Sequence, residues 1–190
     1  MPNWCSNRLY ISGDADNVRK IYDAFTTSDT AFQTLIGKDS SYTDEQWYEH
    51  NISRYGTKWD VGPIKDKCVY DGDDIQIEFE TAWSPPSSFV LTLCKQYKVD
   101  AVLEYWECGV GFSGKEEYTY DSGEVYLTED QWGFHEGLYF MNPDEWMNME
   151  LEYLIENAIE NSVSLADLQR QYSFLSDDDM NTLTKKYTNF

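Results

Sequence analysis

Alternating apolar and polar residues mark the strands of this chain. The clearest run is residues 75–81, in which every second side chain is apolar or threonine and the others are Gln or Glu. A period of two is typical of a strand with one buried face. Asp71-Gly72 precedes this run and is a frequent β-hairpin dipeptide. Similar but weaker runs predict strands at residues 5–12, 66–70, 99–107, 115–120 and 124–128.

Apolar residues spaced three and four apart predict helices between these strands. Asp14 is a suitable N-cap for a helix at 15–27, because its side chain can accept from the unpaired N–H groups of the first turn. Residues 43–46 match the Thr-x-x-Gln capping box of another helix, which ends before Gly56. Ser84 is expected to cap a third helix, whose first turn holds the two prolines that follow.

The order of these elements predicts the fold class. Up to residue 107 the order is strand, helix, insert, strand, strand, helix, strand. This βαββαβ order is typical of the ferredoxin-like α+β fold, an antiparallel sheet with helices on one face, here with an extra β-hairpin. After residue 132 the pattern predicts helices at 143–161, 164–172 and 176–186. We therefore predict a ferredoxin-like domain at 1–132 and an acidic C-terminal helical extension at 133–190.

Composition and charge narrow the class of protein. The 190 residues are 41% hydrophobic and 16% aromatic, enough for a packed core. A formal net charge of −21 argues against direct binding of nucleic-acid phosphates and against docking on anionic membranes. No apolar run approaches the ~20 residues of a membrane helix, and the start, MPNWCSNR, lacks the apolar segment of a secretory signal. We therefore expect a cytoplasmic protein.

Few residues are available for catalysis or metal binding. The cysteines Cys5, Cys68, Cys94 and Cys108 have no CxxC spacing and are expected to be buried thiols. Only two histidines are present, so a zinc site would be difficult to assemble. Residues 109–114 match GxGxxG, but a predicted strand follows where a dinucleotide fold needs a helix, so these glycines are expected to bend the sheet. We predict no enzymatic activity, no cofactor and no metal site.

Acidic residues are concentrated in the last third of the chain. Residues 129–190 carry 13 acids and 3 bases, a net charge of −10 in 62 residues. Four glutamates of the helix predicted at 143–161 share a narrow arc, with rises of ~6–10 Å between them, comparable with phosphate spacing along DNA. Such a stripe can imitate a nucleic-acid backbone, or it can be an ordinary solvated helix face. These glutamates are Glu145, Glu152, Glu156 and Glu160, and a second acidic cluster is formed by Asp177, Asp178 and Asp179.

The seven tryptophans are many for a chain of this length. Several are expected to lie in the core. Trp59 and Trp83 flank loops, so we predict that these two share a surface patch that could bind a partner.

Four sequence blocks together resemble the YubB-like family, which consists of ferredoxin-like proteins carried by bacteriophages and conjugative plasmids. The resemblance implies the same fold and a bacterial cytosol, and it supplies no catalytic residue. The acidic tail lies outside it. The blocks are MPNWCSNRL at 1–9, YGTKWD at 55–60, TAWSPP at 81–86 and YWECGVGFSG at 105–114.

These observations are compatible with three functions. The leading hypothesis is a non-enzymatic inhibitor, of the anti-CRISPR or anti-restriction type, in which the acidic residues mimic nucleic acid and occupy the basic groove of a host defence protein. The alternative is a structural or regulatory phage module that binds a protein through Trp59 and Trp83. The third is a hydrolase that uses clustered carboxylates and a metal ion.

Overall fold

The computed structural model describes residues 3–188 apart from 40, 44, 142 and 150, and only the backbone of residues 145, 148, 149 and 152. The chain forms two compact units, Met1–Trp132 and Gly133–Phe190. Within the described residues, no helix combines the length and the apolar character needed to cross a bilayer.

Six strands in the described part of the chain form one antiparallel sheet. β1 lies between β3 and β4, and β2 pairs with β3, which is the ferredoxin-like arrangement. β5 and β6 are the extra hairpin and extend the sheet beyond β4. The fold class predicted from the sequence is therefore confirmed. In sheet order the strands are β2 (Cys68–Asp71), β3 (Asp74–Ala82), β1 (Trp4–Ser12), β4 (Asp100–Glu107), β5 (Phe112–Asp121) and β6 (Glu124–Gly133).

The core of the first unit lies between this sheet and its helices. Every second residue of the central strands is buried, and Leu9 stands opposite both Ile77 and Leu103. The helices add a cluster of aromatic rings, in which Phe32 stacks on Phe89 with ring centroids 4.0 Å apart. Burial of these apolar side chains is the main stabilising contribution to the unit. The helices are α1 (Ala15–Thr27), α2 (Ala31–Ile36), α3 (Trp47–Tyr55) and α4 (Ser87–Tyr97).

The starts of the helices agree only partly with the sequence pattern. Asp14 caps α1 as predicted, since its carboxylate accepts from the N–H of Asp16 and Asn17. The prediction that Ser84 caps α4 is wrong. Pro86 occupies the N-cap position, because the Ser84 hydroxyl donates to the Gly56 carbonyl at 2.6 Å.

The GxGxxG stretch begins in a turn between two strands and ends in β5, whereas the sequence pattern predicted a bend in the sheet. Gly109 and Gly111 lie in the turn between β4 and β5, where Gly111 has φ +90°. A strand follows the turn, not a helix. The next turn, at Ser122 and Gly123, has two positive φ values of 51° and 98°, which is the two-residue hairpin geometry that matches strand twist. β6 then continues to Gly133, five residues beyond the predicted end.

The expectations for cysteine and tryptophan burial need correction. Cys5 and Cys94 are fully buried, whereas Cys68 is half-buried and Cys108 is exposed. All seven tryptophans lie in the described part of the chain, and Trp146 alone among them is buried. Most tryptophans are therefore not core residues, and several are available to contact other molecules.

The second unit is helical. Trp146 is fully buried and is surrounded by the rings of Tyr139, Tyr172 and Phe174. Ser176 caps the last helix by accepting from the N–H of Asp179. The helix predicted at 143–161 spans residue 150, which lies outside the described residues, and α5 was not predicted. The elements are α5 (Phe134–Met141), α6 (Pro143–Met149), α7 (Leu151–Glu160), α8 (Leu165–Gln171) and α9 (Asp177–Tyr187).

Candidate functional site

Two loops of the first unit are held tightly against each other. One follows α3 and begins at Gly56, and the other follows β3 and runs to Pro86. Gly56 adopts the left-handed conformation, with φ +85°, and ends α3 by donating its N–H to the Ile52 carbonyl. A Cβ at this position would lie 2.9 Å from the Pro85 carbonyl oxygen. Glycine is therefore required both for the backbone angle and for the close approach of the loops.

Buried polar side chains connect the two loops. The Thr57 hydroxyl donates to the Ala82 carbonyl at 2.9 Å, in addition to the bond from Ser84 to Gly56. The Thr81 hydroxyl donates to the Ser84 carbonyl at 2.8 Å and accepts from the amide of Asn7 at 2.9 Å. Since hydrogen-bonded groups with buried partners are costly to separate, these bonds give the loops a defined conformation.

Asp60 fixes the first loop a few residues after Gly56. Its carboxylate accepts from the backbone N–H groups of Phe32, Gln33 and Val61 at 2.7–2.9 Å. It thereby satisfies free N–H groups at the start of α2. Burial raises the pKa of this carboxyl above its usual value, against the opposing effect of the three N–H donors.

The loops present a group of exposed aromatic side chains, which we call the aromatic surface. Its members are each between 37% and 47% exposed. Ring centroids of Trp4 and Trp59 are 6.1 Å apart, as are those of Tyr48 and Trp83. The aromatic surface consists of Trp4, Trp47, Tyr48, Trp59 and Trp83.

Lys58 lies at the centre of the aromatic surface. Its Nζ is 4.5 Å from the ring centroids of both Trp59 and Trp83, and 6.0 Å from that of Trp47. These distances are those of cation–π contacts. In the part of the chain that the structure describes, no carboxylate forms an ion pair with Lys58. The ammonium is therefore held in place by the rings while its charge stays available to a ligand.

Trp83 has an unusual backbone conformation. Its φ of +74° is rare for a residue with a Cβ. The N–H of Trp83 donates to the Asn3 carbonyl at 2.9 Å, and the loop contacts described above fix the residues after it. Residues in such conformations persist where the surroundings determine them and are frequent at functional sites.

Comparison with known proteins identifies the family. The model of the family described as "Ferredoxin-like domain in Api92-like protein" matches residues 54–152, about half of the chain. The chain belongs to this family. Among solved structures, the protein api92 from Yersinia pseudotuberculosis matches with a TM-score of 0.50 and 10% sequence identity, over 70% of this chain and 99% of api92. At that identity the likeness to api92 concerns the fold. Comparison with curated proteins found no match.

The sequence of this Api92-like protein predicts two sets of site residues, a pair of tryptophans and a group of acidic residues. The structure brings the tryptophan pair together. Trp59 and Trp83 share Lys58, as the prediction of a common patch requires. Sequence reasoning missed Trp4, Trp47, Tyr48 and Lys58. Trp4 had no local signal, because it is the register of β1 with β3 that places it opposite Ala82, the neighbour of Trp83.

The acidic residues occupy a different unit, Gly133–Phe190. Glu156 and Glu160 are exposed on α7, while the side chains of Glu145 and Glu152 lie outside what the structure describes. The four-membered stripe is therefore placed only in part.

The second acidic cluster lies in the first turn of α9. Asp177 and Asp178 are exposed there. Asp179 is partly covered and accepts from the hydroxyls of Ser176 and Tyr139, which lower the pKa of its carboxyl. Asp179 therefore has a structural role in this Api92-like chain, and only the first two aspartates are open to a partner.

Among the described residues, no group of three or more His, Cys, Asp or Glu side chains is arranged to hold a metal ion. The chemistry that the aromatic surface offers is recognition: flat apolar rings, one cation and several indole N–H donors.

Proposed function

We propose that this chain is a non-catalytic protein-binding module that holds its partner through the aromatic surface. The observation that carries the proposal is the clustering of four exposed tryptophans and a tyrosine around Lys58. Tryptophan and tyrosine dominate the binding energy of many protein interfaces, because each buries a large area at a small cost in side-chain entropy. A surface already fixed by buried hydrogen bonds loses little further freedom on binding.

The partner is a protein segment with apolar or proline side chains beside a carboxylate. The rings would contact the apolar groups, and Lys58 would pair with the carboxylate. The charge of −21 also disfavours an anionic polymer such as nucleic acid as the ligand of this surface. The resemblance to the YubB-like family supports a phage or plasmid origin, with action in the bacterial cytoplasm.

The test is to replace both central rings. The double variant Trp59→Ala/Trp83→Ala should bind the partner roughly a hundred-fold or more weakly, since interface hot spots typically contribute about 2 kcal/mol each. The partner is first captured from a bacterial lysate with the unaltered chain, and affinities are then measured by calorimetry.

Tyr126→Ala is the matched control, because Tyr126 is an exposed aromatic residue of β6 outside the aromatic surface. It should bind with unchanged affinity. Circular dichroism must show that each variant is folded. A folded double variant that keeps full affinity for the partner would exclude the aromatic surface as the binding site.

A second candidate function is supported by the charge of the other unit. We propose as the alternative that exposed carboxylates such as Glu156 and Glu160 mimic phosphates and occupy the basic groove of a host nucleic-acid-handling defence protein. The net charge of −10 in residues 129–190 favours such a partner, because opposite charges accelerate encounter and fix register.

Charge reversal tests this alternative. Glu156→Lys/Glu160→Lys should weaken inhibition of a sensitive nuclease by about tenfold or more, and added salt should weaken inhibition by the unaltered chain. Glu45→Lys/Glu80→Lys makes the same change of charge at exposed glutamates of the first unit and should leave inhibition intact. Equal loss in both double variants would show that net charge alone matters and would reject a specific mimic.

A further inference from the structure

A cavity of about 270 Å³ in the first unit contains a buried carboxylate. Tyr105 of β4, together with Phe112 and Glu116 of β5, forms one side of it, and Ser87 and Trp132 contribute further walls. Only 4% of Glu116 is exposed. The cavity is distinct from the aromatic surface, and the inference drawn from it goes beyond the proposed function.

Neutral groups hold the Glu116 carboxylate in place. The Ser87 hydroxyl donates to Oε1 at 2.8 Å, and the Tyr118 hydroxyl donates to Oε2. A carboxylate has about four acceptor positions, so these two donors leave part of its capacity open. No Lys, Arg or His lines the cavity or pairs with Glu116 among the residues that the structure describes.

The surroundings of the cavity are electrostatically negative. Glu107 is 1% exposed, and its carboxylate accepts from the N–H groups of Gly109 and Val110, each at 2.6 Å. Burial first, and the charge of Glu116 second, raise the pKa of the Tyr105 phenol to about 12. Burial, with Glu107 as the next cause, raises the pKa of Cys5 to about 12. A buried carboxylate without a cation is costly, so a positive ligand would be favoured here.

The three aromatic residues in the lining suit an organic cation better than a metal ion. Tyr105 and Phe112 have ring centroids 6.1 Å apart, and Trp132 adds a third ring to the lining. Aromatic faces attract ammonium and guanidinium groups. A divalent metal, in contrast, would need several oxygen or nitrogen ligands, whereas Glu116 is the only carboxylate in the lining described for this cavity.

We propose that this cavity binds an alkylammonium or alkylguanidinium group, with Glu116 as its counter-ion and the rings of Phe112, Tyr105 and Trp132 around its alkyl stem. The volume accommodates one such group with a short stem. Its source is either a free small amine or the side chain of a Lys or Arg on a partner protein.

Titration of the full chain with matched probes tests the proposal. Butylammonium and butylguanidinium should bind about tenfold or more tightly than 1-butanol, which has the same stem without the charge. Calorimetry at 150 mM salt, roughly physiological ionic strength, limits unspecific attraction to the acidic surface. Nα-acetyl-lysine amide and Nα-acetyl-arginine amide distinguish a partner side chain from a free small amine as the source of the cation. A pocket for a side chain accepts these blocked amino acids, whereas a pocket for a small amine excludes them.

The variant Glu116→Gln should weaken binding of butylammonium about tenfold or more while keeping the shape of the residue. Glu117→Gln is the matched control, because Glu117 is the next residue of β5 and is exposed, and it should bind as the unaltered chain does. The proposal is overturned if butanol binds as well as butylammonium, if neither cation binds, or if folded Glu116→Gln keeps full affinity. Should Glu116→Gln not fold, the comparison of charged and neutral probes on the unaltered chain still decides.

Discussion

At the scale of residues, polar side chains at core positions link the fold to the aromatic surface. Asn7 is 2% exposed and occupies an inward position of β1. Its amide donates to the Phe79 carbonyl at 3.3 Å and to the Thr81 hydroxyl at 2.9 Å. The Thr81 hydroxyl in turn donates to the Ser84 carbonyl, and the Ser84 hydroxyl donates to the Gly56 carbonyl. A short chain of hydrogen bonds thus runs from the middle of the sheet to the loops that carry Trp59 and Trp83.

Gly114 gives a prediction at the same scale. It stands opposite Tyr105 in the pairing of β4 with β5, and a Cβ there would overlap the Tyr105 phenol. Gly114→Ala should therefore lower the free energy of unfolding by about 1–3 kcal/mol, the usual cost of overpacking. Urea denaturation measures the change. Gly62→Ala is the control, since its nearest neighbour would be the Asp29 carbonyl oxygen at 3.9 Å. Equal stability of the two variants would show that Tyr105 moves freely aside.

At the scale of elements, local patterns predicted most of the first unit. β3 was predicted at 75–81 and spans Asp74–Ala82, and α1 was predicted at its observed bounds, Ala15–Thr27. Both predictions succeed because one face of each element is buried, and the spacing of the apolar residues identifies that face. The start of α4 was predicted wrongly, because the partner of Ser84 is Gly56, 28 residues earlier. No local pattern contains that contact.

The aromatic surface could be predicted only in part for the same reason. Trp59 and Trp83 lie on separate loops, and their separation of 24 residues gives no indication of the shared Lys58. Trp4 joins them through the register of β1 with β3. Recognition surfaces built from several loops depend on tertiary contacts, whereas caps and strand faces depend on near neighbours. The glutamates of the acidic stripe, in contrast, could be proposed from the sequence, because helix periodicity is a local pattern.

At the scale of the whole molecule, negative charge is present both on the surface and in the interior. The net charge is −21, and Glu107 and Glu116 place two carboxylates inside the first unit. Self-repulsion of this kind opposes compaction. Any group that becomes negative at high pH adds to it, so the chain should be sensitive to alkali.

The buried thiols make this sensitivity measurable. Burial, as the largest cause, raises the pKa of both Cys5 and Cys94 from 9.0 to about 12. The unfolded chain therefore loses these protons first, and the stability that the neutral thiols contribute is full below pH 9 and declines as the pH rises toward 12. Each thiol should lower the free energy of unfolding by about 1.4 kcal/mol per pH unit in this range. Near pH 11, the loss of free energy from both thiols together therefore approaches the total stability of a small domain, about 5–15 kcal/mol.

Urea denaturation at a series of pH values between about 8 and 11 measures this decline, and one substitution assigns it. Cys94→Ala should make the slope shallower by about 1.4 kcal/mol per pH unit, whatever it changes at neutral pH. Cys108→Ala removes an exposed thiol of the same unit and should keep the slope of the unaltered chain. Identical slopes in all three proteins would mean that the thiol of Cys94 is open to solvent and that other groups govern the response to alkali.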